Sequence, residues 1–222
     1  MERTPEPELM DGTAQAQAYA DADFSEPHGQ LIDCLRAHLP DLPDHGTAID
    51  LGCGPADVTV RFARAFPGWK IDGIDAAEPM LRLGRNRVDR EGLPDRVRLA
   101  VCRLPRDPTP HETYDLLLSN SLLHHLPEPD VLWRAVRTRA APGAQVFVMD
   151  LHRPETPEAA RALVDRHAAG EPEVLQRDFH ASLHAAYTRD EVRAQLARNA
   201  LDHLETACVS DRHWIAWGAA HP

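Results

Sequence analysis

The residues with the clearest chemical purpose are a few acids and a pair of glycines. Asp50 opens the run Asp50-Leu51-Gly52-Cys53-Gly54-Pro55-Ala56-Asp57, and Asp75 closes the apolar run Ile71-Asp72-Gly73-Ile74-Asp75. Glycines so placed permit a tight turn and let the backbone approach a ligand, while a carboxylate at the end of the second run can accept hydrogen bonds from a ribose diol. The spacing also excludes one ligand class. A dinucleotide fingerprint, Gly-x-Gly-x-x-Gly, opens a helix whose N-terminus faces a pyrophosphate. Here its last position is Asp57, whose negative charge would face that anion. The spacing Asp50-x-Gly52-x-Gly54-x-Ala56 suits an adenosyl ligand without phosphates, or else a glycine turn in some other α/β protein.

The elements that must position these residues follow from the surrounding pattern. A short β-branched and apolar run precedes Asp50, an amphipathic helix spans 58–65, and a second strand ends on Asp75, giving one β-α-β unit. Further strands are expected over 97–102, 114–120 and 145–150, the last preceded by a Pro142-Gly143 turn. Alternating strands and helices argue for a parallel sheet with helices on both faces, in which ligands bind at the carboxyl ends of the strands. Asp50, Asp75, Cys102, Asn120 and Asp150 all fall at such ends.

This succession, with Ser121-Leu122-Leu123-His124-His125-Leu126-Pro127 running off the 114–120 strand, resembles the class I S-adenosylmethionine-dependent methyltransferases over about residues 45 to 152. The resemblance implies a Rossmann-like α/β fold with a mostly parallel seven-stranded sheet. It also implies S-adenosyl-L-methionine as cofactor and S-adenosyl-L-homocysteine as product. Asp50 and the loop residues Gly52, Cys53 and Gly54 would then hold the methionine end and Asp75 the ribose, with Ala76, Met80, Arg103, Leu104, Asn120 and Ser121 as further cofactor contacts. One segment departs from the family pattern. Many relatives carry Gly-Asp after the third strand to accept from the adenine amino group, whereas this chain has Cys102-Arg103. Arg103 could stack on adenine, with its backbone and that of Leu104 reading the base edge, or be a solvated surface arginine.

Methyl transfer from a sulfonium needs an aligned acceptor, exclusion of water and sometimes removal of a proton. Histidine titrates in the right range. His124, His125 and His152 lie just past strand ends with Asp150 beside them, and His125 is the preferred catalytic or substrate-facing residue. Helix-end hydrogen bonding and packing is the alternative for the His124-His125 pair. A metal cluster is not expected, since adjacent histidines point in different directions and the sequence offers no full ligand set.

The chain's 222 residues carry a net charge of −11, which would repel a phosphate backbone. No run of about 18 apolar residues suggests a membrane span. A soluble, cytoplasmic protein, monomeric or homodimeric, is expected. Cys34, Cys53, Cys102 and Cys208 lack Cys-x-x-Cys spacing, arguing against a zinc site or a disulfide framework. Cys53 is either a buried small hydrophobe or, if exposed, open to alkylation. Residues 1–12 are expected to be loosely ordered. Helices over 13–22 and 27–39 would complete an N-terminal cap (1–44) on a methyltransferase domain (45–222), with Tyr19, Phe24 and His28 lining its underside. The stretch 151–187 exceeds what a simple connection needs and reads as a helical lid, with Asp178, His180, Ser182 and His184 as candidate substrate contacts. Two functions stand: methyl transfer to nitrogen, oxygen, sulfur or activated carbon of a small molecule, and a non-catalytic cofactor-binding regulator or partner subunit.

Overall fold

The computed structural model describes residues 1–6, 17 and 25–221. From residue 25 on, helix α1 (Ser25–His38) leads into β1 (Gly46–Leu51), α2 (Asp57–Ala65), β2 (Trp69–Asp75), α3 (Glu78–Arg90), β3 (Val97–Val101) and β4 (Tyr114–Asn120). A 3-10 turn (Leu123–His125) precedes α4 (Asp130–Arg139) and β5 (Ala140–Leu151). Then come α5 (Pro157–His167), α6 (Glu173–Ala185), α7 (Arg189–Arg198), β6 (Glu205–Cys208) and β7 (His213–Ala219).

The seven strands form one sheet in the order β3-β2-β1-β4-β5-β7-β6. β1 pairs in parallel with β2 (Ile49 opposite Asp72) and with β4 (Ile49 opposite Leu117), so strand order reverses between β1 and β4. β7 runs antiparallel between β5 and β6. Both sheet faces are covered. Ile49, Leu51, Leu117, Val146 and Val148 pack with Trp133 of α4 and Leu196 of α7. The alternate residues Ala48, Leu116, Leu118, Phe147 and Met149 pack with Leu31 and Leu35 of α1 and Phe62 of α2. Burial on both faces explains why these strands read as continuous apolar runs.

Several expectations are corrected. Pro142 and Gly143 lie within β5 instead of forming a turn before it: the register jumps from Tyr114 opposite Ala140 to Leu116 opposite Gln145, and Gly143 absorbs the extra residues at φ 80°. α7 stops at Arg198, and Ala200 just beyond it is left-handed at φ 56°. Residues 1–6 are not loosely ordered. Thr4 N–H donates to the His184 carbonyl (3.0 Å), Arg3 donates to the Ala185 (2.6 Å) and His124 (3.0 Å) carbonyls, and its guanidinium lies 4.1 Å from the Tyr187 ring centroid. Their polar composition conceals this docking because the affinity comes from buried carbonyls distant in sequence. No helix among the described residues is long and apolar enough to cross a membrane.

Candidate cofactor site

A cleft opens at the carboxyl ends of β1, β2 and β4, where strand order reverses. Its floor is the glycine loop. Gly52 (φ 75°) and Cys53 donate their N–H groups to the Ile74 carbonyl at 2.9 and 3.0 Å, which hangs the loop on the end of β2. A Cβ at Gly52 would come within 2.7 Å of the Leu122 side chain. Gly54, also left-handed (φ 51°), is different: a Cβ there would meet nothing within 4 Å. Its backbone therefore presents open space to the cleft.

Asp75 is pre-oriented by its own backbone surroundings. Oδ2 accepts from Gly54 N–H (2.9 Å) and Oδ1 from Ala77 N–H (2.8 Å). Burial pushes its pKa up, while these N–H groups favour the anion. Each oxygen keeps acceptor capacity for a hydroxyl, so the residue fits a ribose diol. Asp50 is 1% exposed and accepts from the Thr59 hydroxyl at 2.6 Å. Burial, partly offset by Thr59 and reinforced by Asp75, lifts its carboxyl to about 7.

Asp57 sits at the start of α2 and does not confront the cleft as a bare charge. It receives His28 Nδ1 at 2.6 Å, Arg61 Nε at 2.7 Å and Arg87 Nη1. Burial pushes its pKa up, but these partners outweigh it and bring the carboxyl to about 2. At the end of β3, Asp107 Oδ2 accepts the Arg103 N–H at 2.8 Å, and the Arg103 carbonyl accepts from Arg106 and Asp107 N–H groups. Both backbone groups of Arg103 are thus spent inside their own turn, which corrects the expectation that they read a base edge. The Arg103 side chain is exposed at the cleft rim. Cys53 is buried, and burial pushes its thiol well above the ordinary value, so the small-hydrophobe reading is the one the packing matches.

All of Asp50, Gly52, Cys53, Gly54, Asp75, Ala76, Met80, Arg103, Leu104, Asn120 and Ser121 line this one cleft. Ser121 does so in a left-handed conformation (φ 54°), a strained geometry for a non-glycine residue. Of the histidines after the strand ends, His125 lines it and His124 and His152 do not. His124 is buried with Nδ1 2.5 Å from Asp150 Oδ1. Burial lowers the His124 pKa, but Asp150 and Glu6 outweigh it and raise the imidazole overall. Burial pushes the Asp150 carboxyl up, but His124 and the Leu151 N–H outweigh it and hold it low. Asp150 also accepts the Leu123 and Leu151 N–H groups at 2.7 Å each. Acting together, these two residues pin the 3-10 turn that carries His125. His152 bridges to Tyr187 and donates its N–H to the Arg212 carbonyl (2.7 Å), with its imidazole lowered by burial.

Asp178, His180, Ser182 and His184 lie on α6, outside the lining of the cleft. Ser182 Oγ donates to Glu6 at 3.0 Å, and the His180 and His184 ring centroids lie 4.6 Å apart at a 43° tilt. Tyr19 and Phe24 lie outside the described residues. The sequence reading missed Leu122, Leu126, Arg87 and Glu6. The two leucines carry the apolar spacing of the turn, which could have shown them; Glu6 had no local signal at all.

Residues 49–146 match the family model described as a methyltransferase domain. Trans-aconitate 2-methyltransferase of Rhizobium meliloti (strain 1021) is 37% identical over 127 residues, 57% of this chain and 46% of that relative. The enzyme of the same name from Mycobacterium tuberculosis (strain ATCC 25177 / H37Ra) is 31% identical over 167 residues, 73% of this chain and 56% of its own length. The chain thus spans about half the length of the curated relatives it matches. Among solved structures, a SAM-dependent methyltransferase from Aquifex aeolicus superposes with a TM-score of 0.66 at 17% identity, covering 93% of this chain and 97% of that one. The plantazolicin methyltransferase BpumL, solved with SAH and a triazolic desmethylPZN analog, gives 0.68 at 11% identity, covering 95% of this chain and 90% of that one. Residues 49–146 thus match a methyltransferase domain, and the seven-stranded sheet that contains them has the fold of these S-adenosylmethionine-dependent methyltransferase structures.

Proposed function

We propose that the protein is an enzyme that transfers a methyl group from S-adenosyl-L-methionine to a small-molecule acceptor. The observation that carries this reading is Asp75, with both carboxylate oxygens aimed by backbone N–H groups at the crest of the switch-point cleft, beside a Gly54 backbone facing open space. Asp75 would bind the ribose hydroxyls, Asp50 and the 52–54 loop the methionine end, and Leu104, Asn120 and Ser121 the adenosyl region. When bound, the cofactor supplies an electrophilic methyl group on a sulfonium. The chain's residues then have three tasks: to position the acceptor, to exclude water and, where the acceptor needs it, to take a proton. His125 is the histidine on the cleft wall and is assigned the proton or the acceptor contact. Leu122 and Leu126 supply apolar wall that sheds water from the reacting centre.

The N-terminal region (1–44) is assigned the role of cap and the 151–187 stretch that of lid. α5 and α6 support this reading through a small apolar cluster of their own, including Leu163, Val164 and Leu183. Relatives named for trans-aconitate make small polycarboxylates the first acceptors to try. A turnover assay with labelled cofactor, run over small carboxylic acids and then a wider metabolite panel, tests the reading. Cofactor binding by calorimetry without turnover of any acceptor would leave the non-catalytic binding function in its place.

A further inference from the structure

Adjacent histidines were expected to diverge, yet the 3-10 turn Leu123–His125 brings the His124 and His125 rings to 4.2 Å between centroids at a 37° tilt. Both then reach one carboxylate: Glu6 Oε1 lies 3.5 Å from His124 Nε2 and 3.2 Å from His125 Nδ1. Among the described residues, these three offer ligand atoms that all lie within 4.8 Å of one another. We propose that Glu6, His124 and His125 form a binding site for a divalent cation of the zinc type.

The separations support a shared ion. Zinc bonds to nitrogen and oxygen of about 2.0–2.2 Å in a tetrahedron put neighbouring donors about 3.3–3.6 Å apart. The two distances to Glu6 fall close to that spacing without rearrangement. Two imidazoles and one carboxylate are a donor set that suits zinc and its neighbours over magnesium or calcium, which take all-oxygen shells.

The supports behind the donors are those that metal sites use. His124 engages Asp150 through Nδ1, which directs Nε2 toward Glu6, and a carboxylate behind a ligating imidazole fixes its tautomer and raises its basicity. Asp150 is in turn fixed by two backbone N–H groups. Ser182 Oγ, 3.0 Å from Glu6 Oε1 and 3.3 Å from Oε2, donates to the carboxylate and helps to orient it. Glu6 itself is delivered by the extended 1–6 segment, tied along α6 through Thr4 and Arg3. Three protein donors leave one tetrahedral position for an oxygen from water or from an acceptor in the cleft that His125 borders. A cation here would also cross-link the N-terminal segment to the turn that walls the cleft.

The test is metal binding by the full chain, so its outcome is separate from whether methyl transfer is detected. Chelator-stripped protein is titrated with Zn2+ against a competing indicator dye and with Co2+ followed by its visible d–d bands. One equivalent with tetrahedral-type Co2+ bands is expected. Asp150→Asn, which keeps the ligands and removes the support, should weaken zinc about 10–100-fold. Glu6→Gln and His125→Ala should weaken it further. His180→Ala, removing half of the other close histidine pair, should leave affinity unchanged. Hydrogen exchange over residues 1–6 should slow on adding zinc in the wild type and not in Glu6→Gln. Equal zinc affinity and Co2+ spectra in wild type and Glu6→Gln would overturn the assignment, as would loss of binding in His180→Ala. Glu6→Gln decides the matter even if His125→Ala does not fold.

Discussion

Asp50 links the electrostatics of the cleft to its ligand more directly than any other group. Its carboxyl titrates at about 7 because burial disfavours the anion and Asp75 adds like charge, with the Thr59 hydroxyl offsetting part of the rise. A ligand ammonium placed against it would favour the anion and draw that pKa down, so binding and proton release are coupled. The ligand-free protein binds the proton at about pH 7 and the complex only at lower pH. Affinity is therefore full above about pH 7 and falls as pH drops, by up to tenfold per unit. Two units lower this amounts to about 100-fold, or about 2.7 kcal/mol. Stability of the ligand-free fold runs the other way. The folded pKa lies above the unfolded one, so the buried anion costs on the order of 4 kcal/mol above about pH 7, a penalty relieved as pH falls toward about 4. Asp50→Asn should raise the unfolding temperature above neutrality and leave cofactor affinity weak and flat with pH. Calorimetry with S-adenosylhomocysteine in buffers of different ionisation enthalpy, between about pH 5 and pH 7 where the ligand ammonium stays protonated, measures both quantities. Wild-type affinity constant across that window, with no proton released, would refute the pairing.

Asp75→Ala should lose about 1–3 kcal/mol of cofactor affinity through charge-assisted hydrogen bonds to the ribose, read by the same calorimetry. Arg103→Ala should cost no more than about 1–2 kcal/mol if the guanidinium stacks on adenine, and an unchanged dissociation constant would make it a solvated rim residue. Asp57, depressed to about 2, contributes stability that is present above its unfolded pKa and lost as pH falls through about 2. Asp57→Asn should therefore lower neutral-pH stability by about 2 kcal/mol in denaturant melts. His213 is held neutral mainly by burial, its imidazole lowered to about 3, so the fold loses on the order of 4–5 kcal/mol as pH drops from about 6.5 to about 3. His213→Gln should shift the acid-unfolding midpoint downward, and an unmoved midpoint would mean that other groups control it.

The β-α-β unit was legible because its determinants are local: a β-branched run, glycines where the backbone turns left-handed, and an acid at a strand end. The same locality made Asp50, Gly52, Gly54 and Asp75 identifiable, since parallel topology carries strand ends to one edge. The surroundings of the histidines were decided only in three dimensions. His124 and His125 are neighbours in sequence, yet one turns inward to Asp150 and the other lines the cleft, a difference set by a single 3-10 turn. The fate of Arg103 depended on Asp107 closing a turn around its backbone. Glu6 is the extreme case. It lies in a polar, proline-containing segment whose docking rests on carbonyls and a hydroxyl that the chain reaches more than 100 residues later, and short-range pattern carries no information about such partners.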